Sequence, residues 1–389
     1  MSTLHRSAFT RPALLAALDP ALLRAFLAPH AAFFAARGVP LDPAPDADAL
    51  AAVFMEPGPD TPPGLVEALH CIKELSAPAT ADALIAEAAR LGLTLPPAAT
   101  LPEIAMRLWL ADPAAVITLH AKHSMLRVRS FEYYSSVGDD PEPPRPAADT
   151  LAALARDLDH WLTQKGRGAG ARVYAHPRRG EIWFLVRRGD LPRREIAIEA
   201  GTRRAMAFRP EKTDVVVYNQ LTNELGVNAP SHALRDLYRT LFGYHFFGCY
   251  GQFGGAAKYS LEPLRDHGPR SLQTVDVPGI EHIRLGELQY TVSGIVPALH
   301  TVKADDVFAC LTGGPGGIHP GWALKKATFR IRFTGQPRAR SLTLKPPNVA
   351  LYTRDSDATV AEQWLLRRAF IQPPRHYDAR QPEFRFAVP

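Results

Sequence analysis

The sequence predicts an α+β protein: a helical amino-terminal domain followed by an antiparallel, β-meander-rich carboxy-terminal region with packed helices. Three observations predict it. Apolar side chains recur at helical spacing over the first 134 residues. Residues 135–150, SSVGDDPEPPRPAADT, are polar, acidic and proline-rich, the composition of a linker. Beyond them, short alternating runs are separated by turn residues, at spacings too short for crossover helices. A chain of 389 residues exceeds the usual single-domain size. The expected division is a helical domain 1–134, the linker 135–150, a meander-plus-helix unit 151–250, and a second β-rich unit 251–389 ending in a helix.

In the first domain, Leu14, Leu15 and Leu18 lead to Pro20, and Leu22, Leu23, Phe26 and Leu27 restart the apolar stripe. Residues 40–64, rich in Pro, Asp and Gly, read as a long loop. Helices follow over Leu65–Leu75 and Thr80–Leu91, the latter ended by Gly92 as C′ glycine. Another runs over Pro102–Ala111. Asp112-Pro113 then supplies an N-cap and a first-turn proline for a helix through Tyr133. Three short helices in succession invite a helix-turn-helix reading. The turn is long and proline-rich, however, and LPEIAMRLWLA offers only Arg107 to a base edge. A packing or protein-interaction module fits better.

After the linker, Leu151, Leu154, Leu158, Trp161 and Leu162 form one helical face, stopped at Gly166. Strands are expected at Arg172–Ala175, Glu181–Arg188, Arg194–Glu199, Arg204–Phe208 and Asp214–Tyr218. The run Ile182–Val186 is apolar on both faces and marks a central strand. Ser231 caps a helix whose apolar face runs from Leu234 to Phe242, before Gly243. Further strands are expected at Tyr259–Leu264, Ser271–Val275, Glu281–Leu285, Gln289–Val292, Ala327–Phe333, Arg340–Lys345 and Val349–Tyr352. Asp305-Asp306 sits at the start of a short helix, and a helix from Asp357 to Phe370 closes the pattern. TDVVVYN and PPNVALYT, each followed by a loop and an amphipathic helix, share a layout that suggests duplication, though chance similarity explains it as well.

Composition is that of a folded chain, 46% hydrophobic and 22% charged. Arginine (36) far outnumbers lysine (9), and with the many alanines and prolines this points to a GC-rich bacterial genome, so part of the arginine content reflects codon usage. Charge is uneven. Residues 1–150 hold 11 Lys+Arg against 17 Asp+Glu, and residues 151–389 hold 34 against 22. Such asymmetry hints at a polyanion-facing module beside an acidic one, the bland alternative being an unevenly charged surface. The three cysteines, Cys71, Cys249 and Cys310, are far apart and make no C-x-x-C pair. They read as small core residues in a reducing cytoplasm. The apolar stretch Ala13–Ala36 is broken by Asp19, Pro20, Arg24 and Pro29, so neither a secretory signal nor a membrane span is expected.

Catalytic motifs are weak. GGPGG at 313–317 lacks the Lys-Ser/Thr of a P-loop, and GRGAG at 166–170 follows a helix rather than a strand. His120 and His123 have i,i+3 spacing but no matching carboxylate or thiolate, and there is no H-E-x-x-H. His232, Arg235 and His245 fit no phosphate-cleaving pattern, and Ser293 lacks a nucleophile elbow. No cofactor or metal is expected, and the pattern leans away from an enzyme.

The phrase RRGEIWFLVRRGD, followed by RPEKTDVVVYN and LYRTLFGYHFFG, resembles an uncharacterised bacterial protein family over about residues 170–250. The resemblance carries no activity, cofactor or catalytic residue. It implies only a bacterial multi-protein setting such as phage defence.

The positive signal is basic. Residues 325–354 contain eight Lys or Arg and no acid, within an acid-free run from Val307 to Arg354. In TFRIRF, alternation puts Phe329, Ile331 and Phe333 on one face and Arg330 and Arg332 on the other. Lys345 shares a face with Ser341 and Thr343, while Arg338 and Arg340 occupy the intervening turn. A second cluster, residues 167–212, holds twelve Lys+Arg against five acids. The expected function is a non-catalytic nucleic-acid-binding subunit, contacting backbone phosphates of DNA or RNA through Lys325, Lys326, Arg330, Arg332, Arg338, Arg340 and Lys345, with Arg187, Arg188, Arg193 and Arg194. Trp322, Tyr244 and Tyr250 are candidates for base stacking. At least one protein partner is expected, through the helical domain. The alternatives are an adaptor whose basic face meets an acidic protein, and a hydrolase acting on an anionic substrate at a site assembled in three dimensions.

Overall fold

The computed structural model describes residues 8–42, 44–58, 60–137, 145–178, 180–199, 202–292, 298–311, 317–354 and 357–372. The chain divides into two compact units, Met1–Ser124 with Ile196–Arg204, and Met125–Glu195 with Ala205–Pro389.

The first unit is helical: α1 (Pro12–Ala16), α2 (Pro20–Leu27), α3 (Ala31–Ala35), α4 (Ala47–Met55), α5 (Pro63–Leu75), α6 (Ala81–Arg90), α7 (Leu101–Ala111) and α8 (Pro113–Leu126), whose last residues pass into the second unit. Their termini follow local chemistry. The Asp19 carboxylate accepts from the Ala21 and Leu22 amides ahead of α2, and Thr100 and Glu103 form a capping box on α7. Gly92, at φ 69°, closes α6. Leu27, Phe34, Leu50, Cys71, Ile72, Leu75, Leu84 and Leu108 fill the core. The stretch read as one loop over 40–64 contains α4, an Ala-rich helix capped by Asp46.

The second unit is built on one antiparallel sheet of ten strands, so the α+β class with an antiparallel carboxy-terminal sheet holds. The strands are β1 (Ser130–Ser135), β2 (Arg172–Arg178), β3 (Glu181–Gly189), β6 (Glu211–Asn219), β7 (Glu224–Asn228), β8 (Ile280–Val292), β9 (Ala298–Lys303), β10 (Trp322–Phe333), β11 (Arg340–Lys345) and β12 (Val349–Leu351). Their order is β2-β3-β6-β7-β1-β12-β11-β10-β8-β9. Two further strands, β4 (Arg193–Glu199) and β5 (Thr202–Phe208), leave the sheet between β3 and β6 as a separate ribbon, whose segment Ile196–Arg204 groups with the first unit. The helices are α9 (Ala148–Gln164), α10 (His232–Phe247), α11 (Glu262–His267), α12 (Val307–Leu311) and α13 (Ala358–Arg367).

The two halves of the sheet are covered on opposite faces. Across β1, Glu132 is level with Val227 and Val349, whereas its neighbour Phe131 is level with Ala350. On the Glu132 side, Val227 joins Phe184, Val216 and Tyr218 in a core closed by Leu158 of α9 and Leu234, Tyr238 and Phe242 of α10. On the other side, Ala350 joins Leu344, Phe329 and Ile331 in a core closed by Trp364 and Leu365 of α13. The face of β8, β10 and β11 turned away from α13 is therefore left for polar side chains.

Several expectations are corrected. The helix after Pro113 ends at Leu126, and Ser130–Ser135, rich in aromatic residues, pairs as a strand between β7 and β12. Tyr259 makes a single bridge to Ile371, and Glu262–His267 is helical behind Pro263. Ser271 lies in a 3-10 turn, Gly268–Leu272. Glu281–Leu285 and Gln289–Val292 are one strand, β8, interrupted by bulges. Strands β7 and β9 were not read from the sequence. β7 also occupies the loop of the first supposed repeat, so the two repeat-like passages do not fold alike. Helix α10 continues past Gly243 to Phe247 and ends at Gly248, φ 68°. Cys71 is a buried core residue, but Cys249 and Cys310 are exposed. Of the expected linker, residues 138–144 lie outside the described residues.

Candidate nucleic-acid interface

The β10–β11 hairpin forms as the alternation requires, with Thr328 opposite Thr343, Phe329 opposite Leu342 and Arg330 opposite Ser341. On the other flank of β10, Thr328, Arg330 and Arg332 face Glu287, Arg284 and His282 of β8. Glu287 is in turn opposite Lys303 of β9. These rungs create one polar sheet face carrying Arg284, Lys303, Lys326, Arg330, Arg332 and Lys345, with the Thr328 and Thr343 hydroxyls 2.9 Å apart at its centre.

Most of these cations are not uncompensated. Acids from outside the acid-free run reach them: Lys326 Nζ lies 2.9 Å from Glu287, Lys303 3.8 Å from the same carboxylate, Arg330 2.7 Å from Asp305 and Arg332 3.2 Å from Glu281. Burial opposes ionisation of Glu287, but Lys326 and Lys303 outweigh it and hold the carboxyl below its ordinary value. Six cations against three carboxylates leave a positive surplus on this face. Among the described residues no acid pairs with Arg284, Lys325, Arg338 or Lys345.

Arg340 is on the wrong side for this interface. It stands opposite Ile331, on the face covered by α13, and its guanidinium lies 3.3 Å from Asp357 at the start of that helix. The groove beside it, lined by Ile331, Phe333, Tyr352, Asp357 and Ala361, offers about 250 Å³, much of it open. That falls below the usual size of a small-molecule site and brings no histidine to Arg340. Lys325 is an exposed residue at a register shift of β10, and Arg338 is exposed in the hairpin turn.

The second cluster does not form one patch. Arg188 is 1% exposed and belongs to the core: its guanidinium grips Asp214, at 2.6 Å from Nε, and the Tyr238 hydroxyl donates to the same carboxylate at 2.7 Å. It is no nucleic-acid contact. Asp190 draws in Arg167 and lies 3.6 Å from Arg193. Arg209 donates to the Gly166 and Asp190 carbonyls, so GRGAG closes over an arginine rather than a phosphate. Arg187 is half-buried, 3.9 Å from Glu211 and stacked near Tyr174. Arg194 lies exposed on the β4–β5 ribbon.

The stacking candidates are already stacked on neighbouring rings. Tyr244 and Tyr250 are parallel at 4.3 Å, while Trp322 lies on Tyr290 at 3.9 Å and Tyr290 on His300 at 5.3 Å. Arg107, the helix-turn-helix candidate, is held 3.2 Å from Asp19. His120 packs edge-on against His70, and no group of three or more His, Cys, Asp or Glu among the described residues could hold a metal ion. Residues 312–316 of the glycine loop and Ser293 lie outside the described residues.

Sequence reasoning missed a buried polar group at the middle of the sheet. Lys258 pairs with Glu224 at 2.5 Å and lies 4.0 Å from the Tyr133 ring, and Arg354 stacks on Phe131 and Tyr352 while donating to the Tyr133 hydroxyl. Burial pushes the Tyr259 and Tyr352 phenols well up. Burial also works against the charge on Lys258, but Glu224 overcomes it and keeps the amine protonated. The group ties β1 and β7 to the segment that follows β12 through an ion pair, a hydrogen bond and cation–aromatic contacts. No helix among the described residues is long and apolar enough to cross a membrane. A scan against models of protein families and a search of curated proteins gave no match to this chain.

Proposed function

We propose that the chain is a non-catalytic subunit that holds a nucleic-acid backbone on the polar face of β8–β11. The observation that carries the reading is the surplus of cations on an open sheet face, where Arg284 and Lys345 have no acid partner among the described residues and Arg330 and Arg332 have exposed ones. Arginine forks suit phosphate oxygens, and a face with serine and threonine between them adds neutral donors without reading bases. We assign a cytoplasmic location, which the free cysteines support.

The test is fluorescence anisotropy with labelled single-stranded DNA, duplex DNA and RNA across a salt series, comparing the chain with a variant carrying Arg330→Gln, Arg332→Gln and Lys345→Gln. Binding that weakens with log salt and is lost in the variant supports the reading. No binding of any form at low salt ends it.

A protein-partner reading has its own observation. On the segment Ile196–Arg204, which groups with the first unit, the β4–β5 ribbon exposes Ile196 and Ile198, the latter three-quarters exposed, near Arg203 in sequence. Arginine with large apolar side chains is the composition of protein interfaces. An adaptor would lose its partner, and keep its fold, when Ile196 and Ile198 become serine.

A further inference from the structure

Charge surplus alone does not account for one rung of the polar face. Arg284 of β8 stands directly opposite Arg330 of β10, and His282 opposite Arg332 on the next polar rung. Like charges facing one another across a ladder cost stability. Sheets ordinarily put an acid, or nothing charged, at such a position. Arg284 is exposed and has no acid partner among the described residues. Arg330 is 48% exposed and its counter-ion, Asp305, 90% exposed, so their pair is weak and an incoming dianion or polyanion can displace the carboxylate.

The backbone makes room for this arrangement. The β8–β10 register shifts beside Arg330, and the residue left over on β8 is Gly286. A Cβ placed there would come within 2.9 Å of Arg330 Nε and 3.2 Å of its Cγ. Gly286 has no left-handed φ, so space rather than conformation calls for the missing side chain. The arm of Arg330 lies along the gap that the glycine leaves. Bulges of this kind re-aim side chains beside functional sites.

We infer that Arg284 and Arg330 form a phosphate-binding rung and that Arg332, with His282, forms a second. The rungs are two strand residues apart, roughly 6.8 Å, a spacing that successive phosphodiesters of one nucleic-acid strand can meet. The inference rests on the nucleic-acid reading above and names the residues and the phosphate chemistry of that face. Gly286 is a positioning residue: it touches no phosphate and acts by leaving the path of Arg330 clear.

The experiment is anisotropy of the full chain with a labelled single-stranded oligonucleotide over a salt series, with inorganic pyrophosphate as competitor and, separately, as a ligand in calorimetry. The variants are Arg284→Gln and Gly286→Ala. Arg284→Gln is expected to weaken oligonucleotide binding about fivefold to tenfold and to reduce the salt slope by about one, while the unliganded protein melts slightly higher because the like-charge contact is gone. A merely structural arginine would not give that opposite pair of changes. Gly286→Ala is expected to weaken binding with less change in slope, and since its Cβ crowds Arg330 in the unliganded fold as well, Arg284→Gln decides. Oligonucleotide binding that is the same in Arg284→Gln and wild type overturns the rung and leaves the nucleic-acid reading standing. Pyrophosphate binding that depends on Arg284, with no oligonucleotide binding, keeps the rung as a free-phosphate site and overturns the nucleic-acid reading. Binding of neither ligand overturns both.

Discussion

Arg188 shows what alternation decides and a cluster count does not. It follows Ile182, Phe184 and Val186 at every second position of β3, and those residues face α10. Its guanidinium therefore enters the core, where Asp214 and Tyr238 wait for it. Arg188→Met is expected to lower stability by about 3–5 kcal/mol, because Asp214 is left buried without its cation. Urea denaturation measures it, and pairing the change with Asp214→Val should restore much of the loss. The same parity, applied to Arg340, places it with Leu342 and Leu344 on the apolar face, where the structure finds it opposite Ile331. Both positions were legible in the sequence but were outweighed by the look of a basic run. The acids that compensate the run were not legible: Glu281 and Glu287 come from β8 and Asp305 from the turn after β9, and only pairing brings them near. Glu287 permits a second prediction. Its carboxyl is held below its ordinary value by Lys326 and Lys303, so the stability it contributes is present above the unfolded-state value and is lost as pH falls through the lowered folded one. Glu287→Gln should abolish that acid-side loss in a pH series of melting temperatures. It should also strengthen oligonucleotide binding severalfold, since a negative charge leaves the face.

At the scale of elements, local patterns placed β3, β6, β10 and β11 and most helices, because each carries its own period and caps. Strand β1 was lost because its helix-like lead-in from Pro113 has no breaker before Ser130, and only pairing with β7 and β12 makes it a strand. β9 is a mostly exposed edge strand that pairs, among the described residues, with β8 alone, so little in its own residues demands burial. The order of the ten strands is set by non-local pairing and has no local signature. Helix α13 anchors the half of the sheet that carries the interface: Trp364 is wholly buried against Phe329 and Phe370, at ring distances of 5.1 and 5.2 Å. Its indole N–H has no hydrogen-bond partner among the described residues. Trp364→Ala should therefore cost about 3–5 kcal/mol through the cavity. Trp364→Phe should cost much less, since it removes an unsatisfied buried donor together with part of the volume. Denaturation of the two variants, compared with wild type, separates the terms, and a Trp364→Phe loss close to that of Trp364→Ala would overturn this account.

At the scale of the whole molecule, the formal charge of +6 says little about how many phosphates the chain neutralises. Eleven cations were expected from the sequence to meet a nucleic acid. The structure buries Arg188, turns Arg340 to the other face, and gives Lys326, Arg330 and Arg332 acid partners. Salt dependence distinguishes these pictures, because each neutralised phosphate of a single strand contributes about −0.7 to the slope of log affinity against log salt. Eleven contacts would give a slope near −8. The polar face of β8–β11 holds six cations and three carboxylates, so the slope should lie between about −2, if the ion pairs persist in the complex, and about −4, if phosphates displace every carboxylate. A slope in that range supports binding confined to this face. A steeper one would require basic side chains elsewhere, with the β4–β5 ribbon and Arg194 the first to substitute. A slope near zero with measurable affinity would mean that contacts other than phosphate pairing hold the ligand, and the exposed apolar side chains of the ribbon would then become the surface to test.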